Sequence, residues 1–214
     1  GISALTRYPS PQMGWPLLMK RLADFMLSLV LLILLSPLLL CVVLLIKRTS
    51  SGPAFFIQER IGHCKRRFPM YKFRTMNVDA EKKLFALEHL NEFSGPAFKI
   101  KDDPRLTKVG KFLRKTSIDE LPQLINVLKG EMSLVGPRPL PVRDYERFYE
   151  DKHYRRFSVL PGLTCLWQSN GRNSIPFDKW MELDLQYIDQ WSFWLDIGIL
   201  FKTIPSVFRG KGAS

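Results

Sequence analysis

An uncharged run of 22 residues, positions 25–46, limits the folds available to this chain more than any other feature. Basic residues flank the run at both ends (Lys20, Arg21, Lys47 and Arg48). A helix needs about 20 mainly apolar residues to cross the hydrocarbon core of a bilayer. A secretory signal is a poorer explanation, because the run is long and no small-residue cleavage site follows it. We therefore predict a membrane helix over residues 20–48.

Ser36 and Pro37 lie near the middle of this run. A proline inside a helix removes a hydrogen bond and crowds the preceding turn, at a cost of about 3 kcal/mol. The seventeen Leu, Ile, Val and Phe residues of the run favour the membrane by about 5–10 kcal/mol. Burial in the membrane therefore wins, and we expect a bent helix. A kinked single span and a re-entrant hairpin both fit the sequence, and basic residues at both ends favour re-entrance.

The composition indicates an anionic partner. The 214 residues carry a net charge of +12, spread along the chain rather than gathered in a tail. Such a charge suits nucleic acid, an anionic membrane surface or phosphorylated substrates. The three cysteines, Cys41, Cys64 and Cys165, show no pairing pattern, and the three histidines lack the spacing of metal ligands. We therefore expect reduced thiols in a cytoplasmic context and no zinc site.

Two adjacent carboxylates, Asp119 and Glu120, lie within residues 116–124. The apolar positions that follow have helical spacing and end before a lysine and a glycine (Leu121, Leu124, Ile125 and Leu128, then Lys129 and Gly130). If Asp119 is the N-cap, Pro122 falls in the first turn, where its missing N–H costs little. Capping from Ser117 would place Pro122 one turn too deep. We therefore expect Asp119 to cap the helix.

Adjacent acids in a first helical turn often do no more than cap the helix. Here Arg114 and Lys115 precede the pair, and the Gly-Pro-Arg-Pro segment at residues 136–139 follows the helix. A helix N-terminus with arginines nearby is a natural phosphate site. Carboxylates repel phosphate, so in such a site they are expected to bind a divalent cation or to act as a nucleophile in covalent catalysis.

Three further segments have structural as well as functional explanations. Residues 66–74 alternate basic and aromatic side chains, which suits a nucleic-acid surface but also a solvated strand face, and we favour the strand face. We expect residues 79–92 to form a packing helix and about 142–157 a solvated amphipathic helix. The aromatic and basic C-terminal third suits shallow seating at a membrane interface, with core packing as the alternative for half of its residues.

Three stretches in order along the chain resemble one known family. Residues 101–105 (KDDPR), 113–123 (LRKTSIDELPQ) and 126–139 (NVLKGEMSLVGPRP) are similar to motifs of the bacterial sugar transferases, which are monotopic polyprenyl-phosphate phosphoglycosyltransferases. The similarity runs from about Lys20 to the C-terminus and includes KFRTM at 72–76 and GRN at 171–173. The family usually has glycine where Cys165 stands, and a side chain there bears on the packing and shape of this loop.

The resemblance implies an α+β, mainly helical fold. It implies an irregular lead-in over residues 1–19 and a kinked, re-entrant membrane helix hairpin over 20–48 with its break at Ser36 and Pro37. A compact catalytic domain with short strands and interfacial amphipathic helices follows at 49–214. It further implies that this domain lies on the cytoplasmic face of the bacterial inner membrane.

The resemblance also implies an activity: transfer of a phosphosugar from a UDP-sugar to undecaprenyl phosphate with release of UMP. This is the first membrane step of O-antigen, capsule or exopolysaccharide synthesis. Carried over by motif, Asp119 is the nucleophile that forms a covalent intermediate, and Glu120 binds Mg²⁺. The residues assigned to the phosphates or the nucleotide are Arg114, Arg138, Arg172, Lys72 and Arg74. The sugar is left open, and so is a homodimer.

Two other classes of function are weighed against this one. A membrane-anchored scaffold for polysaccharide assembly would need no chemistry, but both Asp119 and Glu120 are present, which argues against it. A membrane-tethered nucleic-acid binder is less favoured still, because no recognised nucleic-acid module accompanies the basic residues.

Overall fold

The computed structural model describes residues 10–90, 103–146, 151–166 and 176–209. The described part is mostly helical with a few short strands, as the α+β prediction requires. The regular elements in chain order are α1 Gly14–Thr49, β1 Phe55–Ile61, β2 Arg67–Phe73, α2 Ala80–Leu84, α3 Lys108–Thr116, α4 Gln123–Leu128, β3 Ser133–Val135, β4 Leu140–Pro141, α5 Val142–Glu146, β5 Gly162–Thr164, α6 Phe177–Asp189 and α7 Phe193–Arg209. Short 3-10 helices lie at His63–Lys65, Phe85–Leu90, Ile118–Glu120 and Asp151–Ser158.

Two small sheets form the β part of the domain. In the first, β1 and β2 make an antiparallel hairpin whose register runs from Phe55 opposite Phe73 to Ile61 opposite Arg67, and β4 pairs with the end of β1. In the second, β3 and β5 run parallel. Alternate residues of β2 are buried at its start, as expected for a strand with one face on the core. The first sheet places the end of β2 beside the turn between α3 and α4.

The helix α1 is longer and less interrupted than the sequence predicts. It begins at Gly14, so the irregular lead-in is shorter than the predicted 1–19, and it continues through Ser36 and Pro37 to Thr49. Pro37 leaves the Ile33 carbonyl without its helical donor, and the Ser36 hydroxyl donates to that same carbonyl at 2.8 Å. The structure therefore gives one continuous helix rather than two arms joined by a turn, and its path in a membrane stays a prediction.

The exposed surface of α1 is apolar. In the described part of the chain, this is the one helix long and apolar enough to cross a membrane, and 11% of its most apolar window is buried. A core helix of a soluble protein would be mostly buried. Large side chains in its middle are exposed, among them Ile33 (64%), Leu34 (70%) and Leu40 (61%). A continuous apolar surface of this size indicates association with a membrane.

Both ends of α1 pack against the rest of the protein. Toward its start, the buried side chains are Lys20, Asp24 and Ser28, and toward its end Val42 and Ile46. The end of the helix joins a small core with Ala54, Phe73 and Leu113. The start lies beside the main core, which α4, β3, β5 and α6 build from a larger set of side chains (Leu124, Val127, Met132, Val135, Met181, Tyr187 and Ile188 among them).

A buried polar network fixes the start of α1. Lys20 Nζ donates to the Val135 carbonyl at 2.9 Å and pairs with Asp196 of α7, and Tyr187 donates its hydroxyl to Asp196 at 2.7 Å. One turn along, Asp24 accepts from the Ser133 hydroxyl at 2.6 Å. Buried charges have to be paired, so these contacts make α1 an integral part of the fold rather than a removable leader.

Two predicted helices differ from their expected form. The predicted packing helix at 79–92 is a short α-helix, α2, followed by a 3-10 helix, and residues 91 and 92 lie outside the described part. The predicted helix at about 142–157 appears as α5 and the 3-10 helix Asp151–Ser158, and residues 147–150 lie outside the described part. This segment is not simply solvated, because Arg156 and His153 are buried.

Candidate active site

The acid pair lies in a 3-10 turn between α3 and α4. Ser117 adopts a left-handed conformation (φ 59°) that ends α3, and Ile118–Glu120 form the turn that follows. The N-cap of α4 is Pro122, so the prediction that Asp119 caps this helix is wrong. The positive φ of Ser117 redirects the chain before the acids are reached, which sequence periodicity does not reveal. The Ser117 side chain makes no capping hydrogen bond, which agrees with the expectation that Ser117 does not cap the helix.

Side chains from three separate segments meet at this turn. Lys72 Nζ, from β2, lies 3.9 Å from Asp119 Oδ2 and 3.9 Å from Glu120 Oε1. Arg138 donates from Nη1 to Glu120 Oε1 at 2.8 Å. Asp119 itself is 5% exposed. The structure therefore brings together four of the residues that the sequence singles out, although up to 66 positions separate Lys72 from Arg138.

Arg114 lies at the edge of this group. It lies in the last turn of α3, before the acid pair, and its Nε donates to the Thr75 hydroxyl at 3.1 Å. Its charge is close enough to act on Asp119. Burial is the main influence on Arg114 and lowers its pKa, while Asp119 opposes that shift.

Arg74, which the resemblance assigns to phosphate, makes its hydrogen bonds away from the acid pair. Its guanidinium donates to the Pro53 carbonyl at 2.6 Å, the Met76 carbonyl at 3.2 Å and the Ser50 hydroxyl at 2.9 Å. Positions 72 and 74 would share a face if β2 continued, but β2 ends at Phe73. Arg74 therefore ties the end of β2 to the segment after α1. Arg172, together with the rest of its GRN motif, lies outside the described residues.

For each charged group of the site that follows, burial and the nearest opposite charge shift the pKa in opposite directions. Burial raises the pKa of Asp119, and the charge of Lys72 is the largest influence that opposes it. Burial lowers the pKa of Lys72 to about 8, although the two carboxylates favour its charged form. Burial also acts to lower the pKa of Arg138, but the charges of Glu120 and Asp119 outweigh it, so that this pKa is raised. Each charge in the site thus depends on its neighbours.

The donor set suits a magnesium ion shared with a substrate. In the described part of the chain, no group of three His, Cys, Asp or Glu side chains could hold a metal by itself. Mg²⁺ usually binds through one or two carboxylates, substrate phosphates and water rather than in an all-protein cage. Glu120 and Asp119 offer hard oxygen ligands of that kind next to cations that attract phosphate. The residues present therefore fit the ion in this mode.

Cys165, which departs from the usual family pattern, is fully buried at the end of β5. Burial raises the pKa of its thiol, so it is an unreactive group at neutral pH. The negative charge of Asp184 on α6 raises the pKa of the thiol further. The side chain thus packs into the core, and the loop that follows, residues 167–175, lies outside the described residues.

Gly110 is a residue of this site that the sequence reasoning missed. A Cβ at position 110 would lie 1.9 Å from the Thr75 carbonyl oxygen, so only glycine lets α3 approach the chain after β2 this closely. This approach brings Arg114, one turn further along α3, to Thr75. A glycine inside an otherwise helical segment is the signal that could have pointed to it.

Comparison with known proteins agrees with the resemblance of the motifs. Residues 15–210 match the sequence profile of the family described as bacterial sugar transferase. The chain belongs to the bacterial sugar transferase family. This bacterial sugar transferase is 55% identical over 168 residues to the galactosyl transferase CpsE of Streptococcus agalactiae, covering 78% of this chain and 37% of that protein.

Two other relatives carry fuller names. The undecaprenyl-phosphate galactose phosphotransferase of Salmonella typhimurium is 44% identical over 91% of this chain and 41% of its own length. The UDP-glucose:undecaprenyl-phosphate glucose-1-phosphate transferase of Escherichia coli is 40% identical over 100% of this chain and 45% of its own length. This sugar transferase chain therefore spans about two fifths of the length of these relatives.

The Gly110 contact predicts that Gly110→Ala damages the site. The added methyl overlaps the Thr75 carbonyl, and relieving such overpacking typically costs about 1–3 kcal/mol. We expect a fall of several degrees in the melting temperature in detergent and reduced activity, because α3 and Arg114 move away from Thr75.

Gly198→Ala is the matched control, since a Cβ at that helical position of α7 meets nothing within 4 Å. Alanine there should be neutral or stabilising by up to about 1 kcal/mol. Equal melting temperatures for the two variants would contradict the close approach of α3 to Thr75.

Proposed function

We propose that this chain transfers a phosphosugar from a UDP-sugar to undecaprenyl phosphate and releases UMP. The observation that carries the proposal is the pair of a buried Asp119 and a partly exposed Glu120 beside Lys72 and Arg138, in a chain that carries a membrane-type helix. Two relatives bear names that describe this reaction with galactose and with glucose. The proposed product, undecaprenyl-diphosphate-sugar, begins the assembly of O-antigen, capsule or exopolysaccharide.

In the first proposed step, an oxygen of the Asp119 carboxylate attacks the sugar-linked phosphorus of the UDP-sugar. A P–O bond forms to Asp119 while the bond from that phosphorus to the bridging oxygen breaks. UMP leaves with the electron pair of the broken bond on that oxygen. Burial removes water from the Asp119 carboxylate, which leaves its oxygens less solvated for attack. The positive charge of Lys72 beside it offsets the negative charge of the carboxylate.

In the second step, an oxygen of undecaprenyl phosphate attacks the same phosphorus. The new P–O bond forms to the lipid phosphate while the bond to Asp119 breaks, which regenerates the carboxylate. Neither step requires net gain or loss of a proton. The protein's main task is therefore to position two anions against a carboxylate and to offset their repulsion.

The cations of the site divide this task. Lys72 lies within 3.9 Å of both carboxylates and can move between them and a phosphate oxygen. Arg138 is held by Glu120 with its guanidinium at the site, and a guanidinium recognises phosphate in a bidentate manner. Arg114 adds a third positive charge near Asp119. Mg²⁺ held by Glu120 and diphosphate oxygens would neutralise further phosphate charge. We assign Arg172 to the nucleotide from its motif alone.

The position of α1 supports a re-entrant path, and we assign the domain to the cytoplasmic face of the inner membrane from the family resemblance alone. Buried contacts near Lys20 and Asp24 and again near Val42 and Ile46 hold both ends of the helix against the same domain, while the middle is exposed and apolar. A domain held at both ends stays on one side of the bilayer. Soluble donor and lipid phosphate then reach the acid pair at headgroup height.

Asp119→Asn should abolish UMP release. The amide keeps the size of the side chain but removes the nucleophilic oxygen charge, so we expect a loss of at least about 10³-fold in rate. The measurement is UMP release from a panel of UDP-sugars with undecaprenyl phosphate and Mg²⁺ in nanodiscs, and the active donor identifies the sugar.

Asp79→Asn is the control for the loss of one carboxylate, since Asp79 is exposed and pairs with Lys83 away from the acid pair. It should keep wild-type activity within about twofold. A folded wild-type protein that releases no UMP with any donor would support a scaffold without chemistry.

The re-entrant path predicts that neither flank of α1 is reachable from outside the cell. Single cysteines at Met13 and at Thr49, both exposed, would be introduced with Cys41 and Cys64 replaced by serine. We expect an impermeant maleimide to label neither position in intact spheroplasts and both after permeabilisation. Labelling of one flank in intact spheroplasts would show a spanning helix instead.

A further inference from the structure

The backbone of residues 136–139, which we call the arginine loop, is held by buried donors. The carbonyl of Val135, directly before the loop, accepts from Lys20 Nζ. Within the loop, the Pro137 carbonyl accepts from the Gly162 amide at 3.0 Å. Further along, Arg60 Nη1 donates to the Pro139 carbonyl at 2.9 Å. The prolines on either side of Arg138 limit the loop further, because each fixes one backbone angle.

The carbonyl of Arg138 itself accepts from a second arginine. Arg156 Nη2 donates to Arg138 O at 2.6 Å and to Asp184 Oδ2 at 2.9 Å. Arg156 is 3% exposed and Asp184 is fully buried. A continuous series of contacts thus runs from Asp184 of α6 through Arg156 to the backbone of Arg138, whose side chain donates to Glu120.

Stability alone is a weak explanation for this pair. Burying a guanidinium and a carboxylate carries a desolvation penalty that apolar residues of similar volume would avoid. A guanidinium is, however, suited to holding two oxygens at once, because its donors are planar and rigidly spaced. Here one oxygen is the partner carboxylate, and the other is the backbone carbonyl of the arginine at the acid pair.

We infer that Arg156, oriented by Asp184, is a positioning residue that fixes the backbone of Arg138 so that its guanidinium meets Glu120 and the substrate phosphate. The kinetic part of this inference rests on the proposed function. The structural part, the restraint on the arginine loop, does not. Loss of Arg156 frees the loop and removes the preorganisation of Arg138.

The neighbouring pair Arg155 and Asp189 provides a matched control. Arg155 lies on the same 3-10 helix as Arg156 and pairs with Asp189, five residues after Asp184 on α6. Removing either arginine deletes one link between the same two elements. Arg156 also donates to the Arg138 carbonyl. Its pair is more deeply buried than that of Arg155, so the double-variant cycle described below separates the Arg138 contact from the loss of a buried ion pair.

The kinetic test compares Arg156→Met, Arg156→Lys and Asp184→Asn with Arg155→Met in nanodiscs. We expect Arg156→Met to lower kcat/KM for UMP release by about 10–100-fold and Asp184→Asn by less. Arg156→Lys should be intermediate, because an ammonium retains the charge but not the planar donor pair. Arg155→Met should stay within about threefold of wild type.

A double-variant cycle separates positioning from general damage. In an Arg138→Met background, Arg156→Met should reduce kcat/KM by less than about twofold, since the residue it positions is already absent. A merely structural role would reduce activity equally in both backgrounds, and that result would overturn the inference.

Hydrogen exchange of the peptide covering residues 133–140 tests the restraint without any activity. We expect at least about tenfold faster exchange of its loop amides in Arg156→Met than in Arg155→Met, with similar exchange in α4. Equal exchange in the two variants would overturn the inference even if the wild type transfers sugar phosphate. A wild type that releases no UMP would count against the proposed function alone, and the exchange comparison would still decide the positioning role.

Discussion

The site depends on neutralising two carboxylates that the fold places side by side, one of them, Asp119, shielded from water. Asp119 is 5% exposed, and it shares Lys72 with Glu120, which also accepts from Arg138. The adjacent carboxylates repel each other, and burial raises the pKa of Asp119, while the charge of Lys72 opposes that shift. The cations come from β2 and from the arginine loop, so the β1–β2 hairpin and the β3–β5 pair together bring compensating charge to the acids of the folded protein.

The membrane helix α1 also contacts the elements that surround the acid pair. Lys20 of α1 reaches the Val135 carbonyl directly before the arginine loop, and Ile46 packs in the core that contains Leu113 of α3. The helix α1 therefore contacts both the segment that leads into the arginine loop and the core beneath α3. In the proposed reaction, this arrangement would hold the site at a fixed height relative to the bilayer, where a soluble nucleotide sugar meets a lipid phosphate.

The sequence predicted the composition of the site better than its geometry. The meeting of Asp119, Glu120, Lys72 and Arg138 follows the motif resemblance, and the apolar run located α1. The prediction that Asp119 caps α4 was wrong because the left-handed Ser117 ends α3 and a 3-10 turn follows, so that α4 begins after Pro122. Lys72 and Arg74 were both assigned to phosphate within the KFRTM match, but β2 ends at Phe73, and Arg74 bonds to the segment after α1 instead.

The buried charges were beyond sequence reasoning for a different reason. Lys20 and Arg156 occur in stretches rich in charge, and a charged residue there is expected to be solvated. Their burial depends on partners far along the chain, Asp196 and Asp184, that no periodicity connects to them. Gly110 gave a weak signal, but its significance depends on the Thr75 carbonyl, 35 residues earlier in the chain.

The central claim is that Asp119 carries the phosphosugar between donor and acceptor. The most direct measurement is intact-protein mass spectrometry of the acid-quenched protein after brief mixing with its UDP-sugar and Mg²⁺ in the absence of lipid phosphate. We predict a mass increase of one sugar phosphate, located on Asp119 by peptide mapping and removed by adding undecaprenyl phosphate. An unmodified protein that nevertheless releases UMP once the lipid is added would contradict it, because the lipid would then attack the donor directly.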